Sequence, residues 1–137
     1  MKLESQVCTL EQAKKLKALG VIQESLFCFI GDDNPNPKYN QPHVLYYTPN
    51  AWGEVGAGWY DSRIAAFTVA ELGVMLDNDC LVERSKAPNT RGKYYVLIKG
   101  QTVFFDTEVE ALSASLIYWI EDGFTTVEEV NQRLLAA

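Results

Sequence analysis

"YYVLIKGQTVFFD", residues 94–106, is the stretch that decides the fold class. Two runs rich in β-branched and aromatic residues flank Gly100 and Gln101, and glycine at the first central position favours a type II′ hairpin turn. Directly after the second run, Asp106 or Thr107 is suited to cap a helix that continues to about Asp122. A hairpin followed at once by a long amphipathic helix indicates an α+β fold.

The rest of the chain shows the same two kinds of element. Strand-like apolar runs occur at residues 25–30 and 43–48, and a shorter one near residues 80–83. Three further helices are predicted from capping pairs in which a threonine precedes Gln or Glu by three residues: Thr9 with Gln12, Thr68 with Glu71, and Thr126 with Glu129. We therefore expect one α+β domain over residues 1–137, with a mainly antiparallel sheet of about four strands and three to four helices packed on it.

Helical spacing also predicts which side chains face the core. The long helix has an inner stripe that includes Leu112, Leu116 and Trp119. Gly73 is predicted to allow a close packing contact in the helix after Thr68. The last helix is predicted to bury one shared face formed by four side chains: Val127, Val130, Leu134 and Leu135.

Composition restricts the class of protein. The chain has 47% apolar and 22% charged residues, a net charge of −6 and a pI near 4.7, which is globular and argues against a nucleic-acid binder. No apolar run has the length of a signal peptide core or a membrane span, so a cytoplasmic protein is expected. Three widely spaced cysteines, Cys8, Cys28 and Cys80, favour buried reduced thiols over disulfides or zinc.

Residue patterns for known chemistry are few. His43 is the only histidine, which argues against a catalytic triad or a transition-metal site. The run "DDNPN" at 32–36 resembles a calcium loop, but Pro37 stands where that loop needs glycine. "GEVGAG" at 53–58 matches neither phosphate-binding glycine pattern. We expect no metal, no cofactor and no catalytic residue.

The stretch "AWGEVGAGWYDSR", residues 51–63, is the best candidate surface for a ligand or partner. Its glycines allow close backbone approach, and its rings offer contact area. The candidate residues are Trp52, Trp59, Tyr60, Asp61 and Arg63. A structural crossing that packs Trp59 and Tyr60 down explains the same residues, and we favour that interpretation.

Charge is unevenly distributed along the chain. Residues 88–105 hold three cations and no acid, whereas residues 106–137 hold seven acids against Arg133. Helix starts favour carboxylates, which explains Glu108, Glu110, Glu128 and Glu129. Glu121 and Asp122 lie at the wrong end of a helix for that explanation and indicate a solvated turn or a partner surface.

Three segments together resemble a set of small, uncharacterised proteins encoded in phages and prophages of Bacteroidetes-type genomes. The matching segments are "GVIQESLF" at 20–27, "FTVAELGVML" at 67–76 and "LIYWIEDG" at 116–123. The resemblance implies a mobile-element origin and assigns no catalytic residue.

These observations favour a phage-type accessory protein that acts by protein–protein contact without catalysis. Two alternatives stay open. One is a small-ligand binder or enzyme that uses the loop at 50–63, with Asp61 accepting a hydrogen bond and Arg63 holding an anion. The other is an acidic mimic of nucleic acid that acts through the C-terminal half.

Overall fold

The computed structural model of the chain describes residues 5–29, 44–46, 64–76 and 82–137. These residues form four helices and six short strands, so the predicted α+β class is confirmed. The elements, in chain order, are α1 (Leu10–Ala18), β1 (Phe27–Phe29), β2 (Val44–Tyr46), β3 (Ile64–Ala65), α2 (Val69–Leu76), β4 (Glu83–Arg84), β5 (Tyr94–Ile98), β6 (Gln101–Phe105), α3 (Glu108–Glu121) and α4 (Val127–Ala136).

The described strands belong to two antiparallel sheets of three strands each, where one sheet of about four strands was expected. The first has the order β2-β1-β3 and the second the order β4-β5-β6. The core explains the division, because helix α3 contacts both strands of the hairpin while β3 contacts helix α1. The two sheets therefore pack against different helices and do not continue one another.

The predicted helix starts are confirmed by their hydrogen bonds. At α1, the Thr9 hydroxyl accepts the Gln12 amide at 3.2 Å, and the Gln12 side chain accepts the Thr9 amide at 3.2 Å. Glu71 accepts the backbone amide and the hydroxyl of Thr68 at the start of α2. Helices α3 and α4 begin after Thr107 and Thr126, whose hydroxyls accept the amide three residues ahead.

The turn of the hairpin differs from the predicted type. Ile98 pairs with Gln101, so the two central residues are Lys99 and Gly100. Both have positive φ, 53° and 77°, which is the signature of a type I′ turn and not of a type II′ turn. The turn therefore lies one residue closer to the N-terminus than predicted, in agreement with the pairing of Tyr95 with Phe104 along the strands.

The core is built around helix α3. This helix contacts α1, α2, β5 and β6, and its side chains from Val109 to Ile117 are buried except at Glu110 and Ala114. Trp119 and Ile120 pack against the same core at partial burial. The remaining core comes from the three other helices, the first sheet and the residues between β3 and α2, with Leu16, Phe67, Leu72, Met75 and Val130 fully buried.

Three polar side chains fix how the helices meet. Gln12 of α1 donates to the Glu110 carbonyl of α3 at 2.9 Å. Asn131 of α4 accepts the Ile22 amide at 2.8 Å and donates to the Gly20 carbonyl at 3.1 Å. Arg133 of α4 donates to the carbonyl of Met75 in the last turn of α2 at 2.9 Å. Each of these side chains ties its own helix to the backbone of another segment and so sets the position of that helix.

Two predictions about helix faces are wrong. Leu135 is 63% exposed, although Val130 beside it in the predicted set is fully buried. With about 100° of rotation per residue, Leu135 points well away from the direction shared by Val127, Val130 and Leu134. At Gly73 an added Cβ would meet no atom within 4 Å, so this glycine makes no close packing contact.

Replacing Lys99 by asparagine should stabilise the hairpin. Lys99 holds a left-handed conformation that asparagine adopts more easily, so we expect a gain of about 0.5 kcal/mol in the free energy of unfolding. Chemical denaturation of the Lys99→Asn variant measures the effect. A loss of stability would show that the turn in solution is not of type I′.

Truncating Leu116 should cost about 2–5 kcal/mol, because this side chain is fully buried at the centre of the core. Leu97 provides a matched control, since it is 65% exposed on a strand. Leu97→Ala should cost less than about 1 kcal/mol. Urea denaturation of both variants compares them, and equal losses would contradict the described packing.

The thiol of Cys8 should be protected by folding. Cys8 is fully buried, and burial raises the pKa of its thiol from 9.0 to about 11. Since the folded pKa lies above the unfolded one, folding favours the neutral thiol. The contribution of Cys8 to the free energy of unfolding is therefore complete below pH 9 and is lost as pH rises toward 11.

At pH 8 we therefore expect an alkylating reagent to modify Cys8 at least about 100-fold more slowly in the native protein than in urea. Peptide mass spectrometry separates Cys8 from the other cysteines. Native modification at the rate of the denatured chain would contradict a buried, protonated thiol.

Candidate functional site

The outer surface of the second sheet is the strongest candidate for a functional site. Alternate residues of β5 and β6 point away from α3, and we call the four that form this surface the hairpin face: Tyr95, Leu97, Thr102 and Phe104. Their cross-strand partners place them together, because Tyr95 is opposite Phe104 and Leu97 is opposite Thr102. The residues between them, such as the buried Val96, face the core.

The hairpin face is apolar and open. Leu97 is 65% exposed and Phe104 is 41% exposed. The Tyr95 and Phe104 rings contact each other with centroids 5.8 Å apart and a tilt of 55°. Large side chains of this kind are usually buried, so a cluster that remains open indicates a contact surface.

Hydrogen bonding holds the aromatic pair in place. The Tyr95 hydroxyl donates to the carboxylate of Glu83 on β4, opposite Tyr95 in the sheet. This bond raises the pKa of Tyr95, because the bound proton is shared with a negative group. The phenol therefore stays protonated across the physiological range and acts as a fixed hydrogen-bond donor.

The sector that carries this face has the opposite charge to the rest of the protein. Residues 82–105 contain five cations and one carboxylate, which gives a net charge of +4, although the whole chain carries −6. Lys93 at one end of the strands forms an ion pair with Asp106 at 3.5 Å. A group of negative charge that approaches this sheet is therefore attracted by it.

Cavities lined by the described residues include four in other parts of the fold. The first cavity, of about 410 Å³, is lined by Tyr94 and by the first residues of α2 and α3. The groove between α2 and α4 is about 520 Å³, and Gly73 and Val74 lie along it. A third of about 360 Å³ lies between the hairpin turn, α1 and α3, and contains the Lys15–Glu121 ion pair at 3.3 Å. The fourth, about 300 Å³, lies in the connection between β4 and β5.

The sequence-based candidates cannot be compared with these surfaces. Trp52, Trp59, Tyr60, Asp61 and Arg63 all lie outside the described residues, as do His43, Cys80 and the run at 32–36. Whether the loop at 50–63 is a ligand site or a structural crossing stays a prediction. Cys8 and Cys28 are buried reduced cysteines, as expected for two of the three thiols.

The acidic C-terminal half does not present its carboxylates as a uniform row. Glu121 is bound to Lys15, and Glu129 lies 3.9 Å from Arg133. Glu129 also accepts a hydrogen bond from Thr125. These partners partly neutralise the charge that a mimic of nucleic acid would need, whereas Asp122 is exposed at the end of α3.

Sequence reasoning located the hairpin but missed the exposure of its outer face. The signal was present, because all five residues of β5 are apolar or aromatic. A strand that is apolar on both faces is typical of a sheet covered on both sides. Here only the inner face packs against a helix among the described elements, so Tyr95 and Leu97 are left at the surface.

Comparisons with known proteins give no further guide to the site. No family model, no curated protein and no solved structure matches the chain. In the described ranges, no helix has both the length and the apolar character needed to cross a membrane. The same ranges contain no group of three His, Cys, Asp or Glu side chains that could hold a metal ion.

Proposed function

We propose that this protein is a phage- or prophage-type accessory protein that acts by contact with another protein and not by catalysis. The observation that carries the proposal is the exposure of Leu97 and Phe104 on the hairpin face. The resemblance of three sequence segments to small phage-encoded proteins supports the accessory role.

The partner surface that fits is apolar at its centre and acidic around it. Leu97 and the Tyr95–Phe104 pair supply an apolar and aromatic contact, which is the composition found at interface centres. The +4 sector around them favours carboxylates on the partner. Complementary charge of this kind increases the association rate more than it increases affinity.

A protein fits this face better than a nucleic acid does. Glu83 borders the aromatic pair and would repel phosphates. Leu97, which is 65% exposed, offers no ring on which a base could stack. The tilt of 55° between the two rings also prevents one flat platform for successive bases.

Photo-crosslinking tests the proposal in two steps. A photoreactive amino acid at Thr102 should capture one protein in the cells that produce this chain, and that protein is identified by mass spectrometry and purified. Its affinity for the purified wild-type chain and for variants is then measured by titration calorimetry at two salt concentrations.

The double variant Leu97→Thr/Phe104→Thr should bind the purified partner at least about tenfold more weakly, a loss of about 1.4 kcal/mol. The control is Leu26→Thr/Leu135→Thr, because Leu26 and Leu135 are 66% and 63% exposed elsewhere on the surface. The control should bind like the wild type. Equal losses in both variants, or capture of nucleic acid instead of protein, would refute a protein-binding hairpin face.

A further inference from the structure

The connection between β4 and β5, residues 85–93, forms a turn that is stabilised by hydrogen bonds between its own residues. The Ser85 side chain is buried, and its hydroxyl lies 2.6 Å from the Thr90 hydroxyl. The Ser85 amide donates to the Lys93 carbonyl at 2.7 Å, and the Thr90 amide donates to the Ala87 carbonyl at 3.1 Å. Gly92 completes the turn with a φ of 89°.

Three cations from this turn and the end of β4 lie around one cavity. Arg84, Lys86 and Arg91 line a space of about 300 Å³ together with Ser85 and Gly92. Among the described residues these three cations form no ion pair with a carboxylate, whereas the neighbouring Lys93 is paired with Asp106. Three like charges around one cavity repel one another, and an anion bound among them would relieve that repulsion.

We infer that this cavity binds a phosphoryl group carried by a small molecule. The two guanidinium groups of Arg84 and Arg91 can each donate two parallel hydrogen bonds to an oxyanion, and Lys86 adds a compact charge. Gly92 has no side chain to fill the space, and an added Cβ there would meet no atom within 4 Å. The site is separate from the hairpin face and does not depend on the proposed protein contact.

The charge of the whole protein selects a small anion over a polymer. A long polyanion would extend beyond residues 82–105, and the rest of the chain carries a net charge of −10, which disfavours further contact with phosphates. A single phosphoryl group meets only the three cations of the turn. Free phosphate and a phosphate ester share this chemistry, and the arms of the experiment separate them.

The experiment is a titration of the isotope-labelled full chain followed by amide NMR, at constant ionic strength maintained with sodium chloride. The probes are inorganic phosphate, adenosine monophosphate and an eight-nucleotide single-stranded DNA. We expect saturable shifts of the amides at residues 84–92 with the first two probes. A lower dissociation constant for the monophosphate would identify an ester as the preferred source, and equal constants would identify the free ion.

The variant Arg84→Gln/Lys86→Gln/Arg91→Gln should raise the dissociation constant for phosphate at least tenfold. The matched control Lys14→Gln/Lys15→Gln/Lys17→Gln removes the same charge from α1 and should change it less than twofold. The single variant Arg91→Gln changes one exposed side chain and should weaken phosphate binding severalfold. It serves as the test if the triple variant does not fold.

Several results would overturn the inference. One is the lack of saturable shifts with either phosphate probe. Another is an equal loss in the α1 control, which would show a general charge effect. A third is tighter binding of the DNA, per phosphate, than of the monophosphate. That result would identify the ligand as a nucleic acid and not as a small molecule.

Discussion

The burial of helix α3 on several sides is the constraint on which the rest of the structure depends. The helix packs against α1, α2 and both hairpin strands, so its surface must be apolar or small in most directions. Ala111, Ser113 and Ser115 allow neighbouring elements to approach closely, and the Ser113 hydroxyl donates to the Val109 carbonyl at 2.8 Å. A buried hydroxyl satisfied within its own helix adds no unpaired polar group to the core.

Hydrogen bonds from polar side chains then decide how the outer helices are placed around α3. The core supplies most of the stabilising free energy, but apolar contact alone permits sliding of one helix along another. Gln12 on α1, and Asn131 and Arg133 on α4, each bind a backbone group outside their own helix. Loss of such a side chain leaves a partly buried donor or acceptor unpaired, which costs about 1–3 kcal/mol, so these bonds favour one arrangement over its neighbours.

Features that depend on three or four consecutive residues could be predicted from the sequence. The capping pairs at Thr9 and Thr68 are of this kind, because the cap and its partner are three residues apart and form their bonds without help from the rest of the fold. The hairpin turn was misplaced by one residue because glycine suits either central position of a two-residue turn, and here Gly100 is the second, after Lys99. Leu135 was misassigned because it was grouped by sequence proximity although the helix rotates it away from Val130.

The candidate sites depend on packing and could not be read from local patterns. Nothing in the order of residues 94–105 states which face of the hairpin meets α3, yet that choice leaves Leu97 and Phe104 open. Likewise Arg84 and Arg91 are seven positions apart, and only the turn around Ser85 places both at one cavity.

Net charge is a poor guide for the same reason. A value of −6 argues against anionic ligands only if charge is spread evenly, whereas residues 82–105, which contain the second sheet, carry +4. At physiological salt, exposed charges are largely screened beyond about 8 Å, so an arriving group responds mainly to the charges closest to it. A small anion at the β4–β5 turn meets cations first, and a partner at the hairpin face meets an apolar surface within the same positive sector. The packing of α3 that orients the hairpin therefore also determines which charges a ligand encounters.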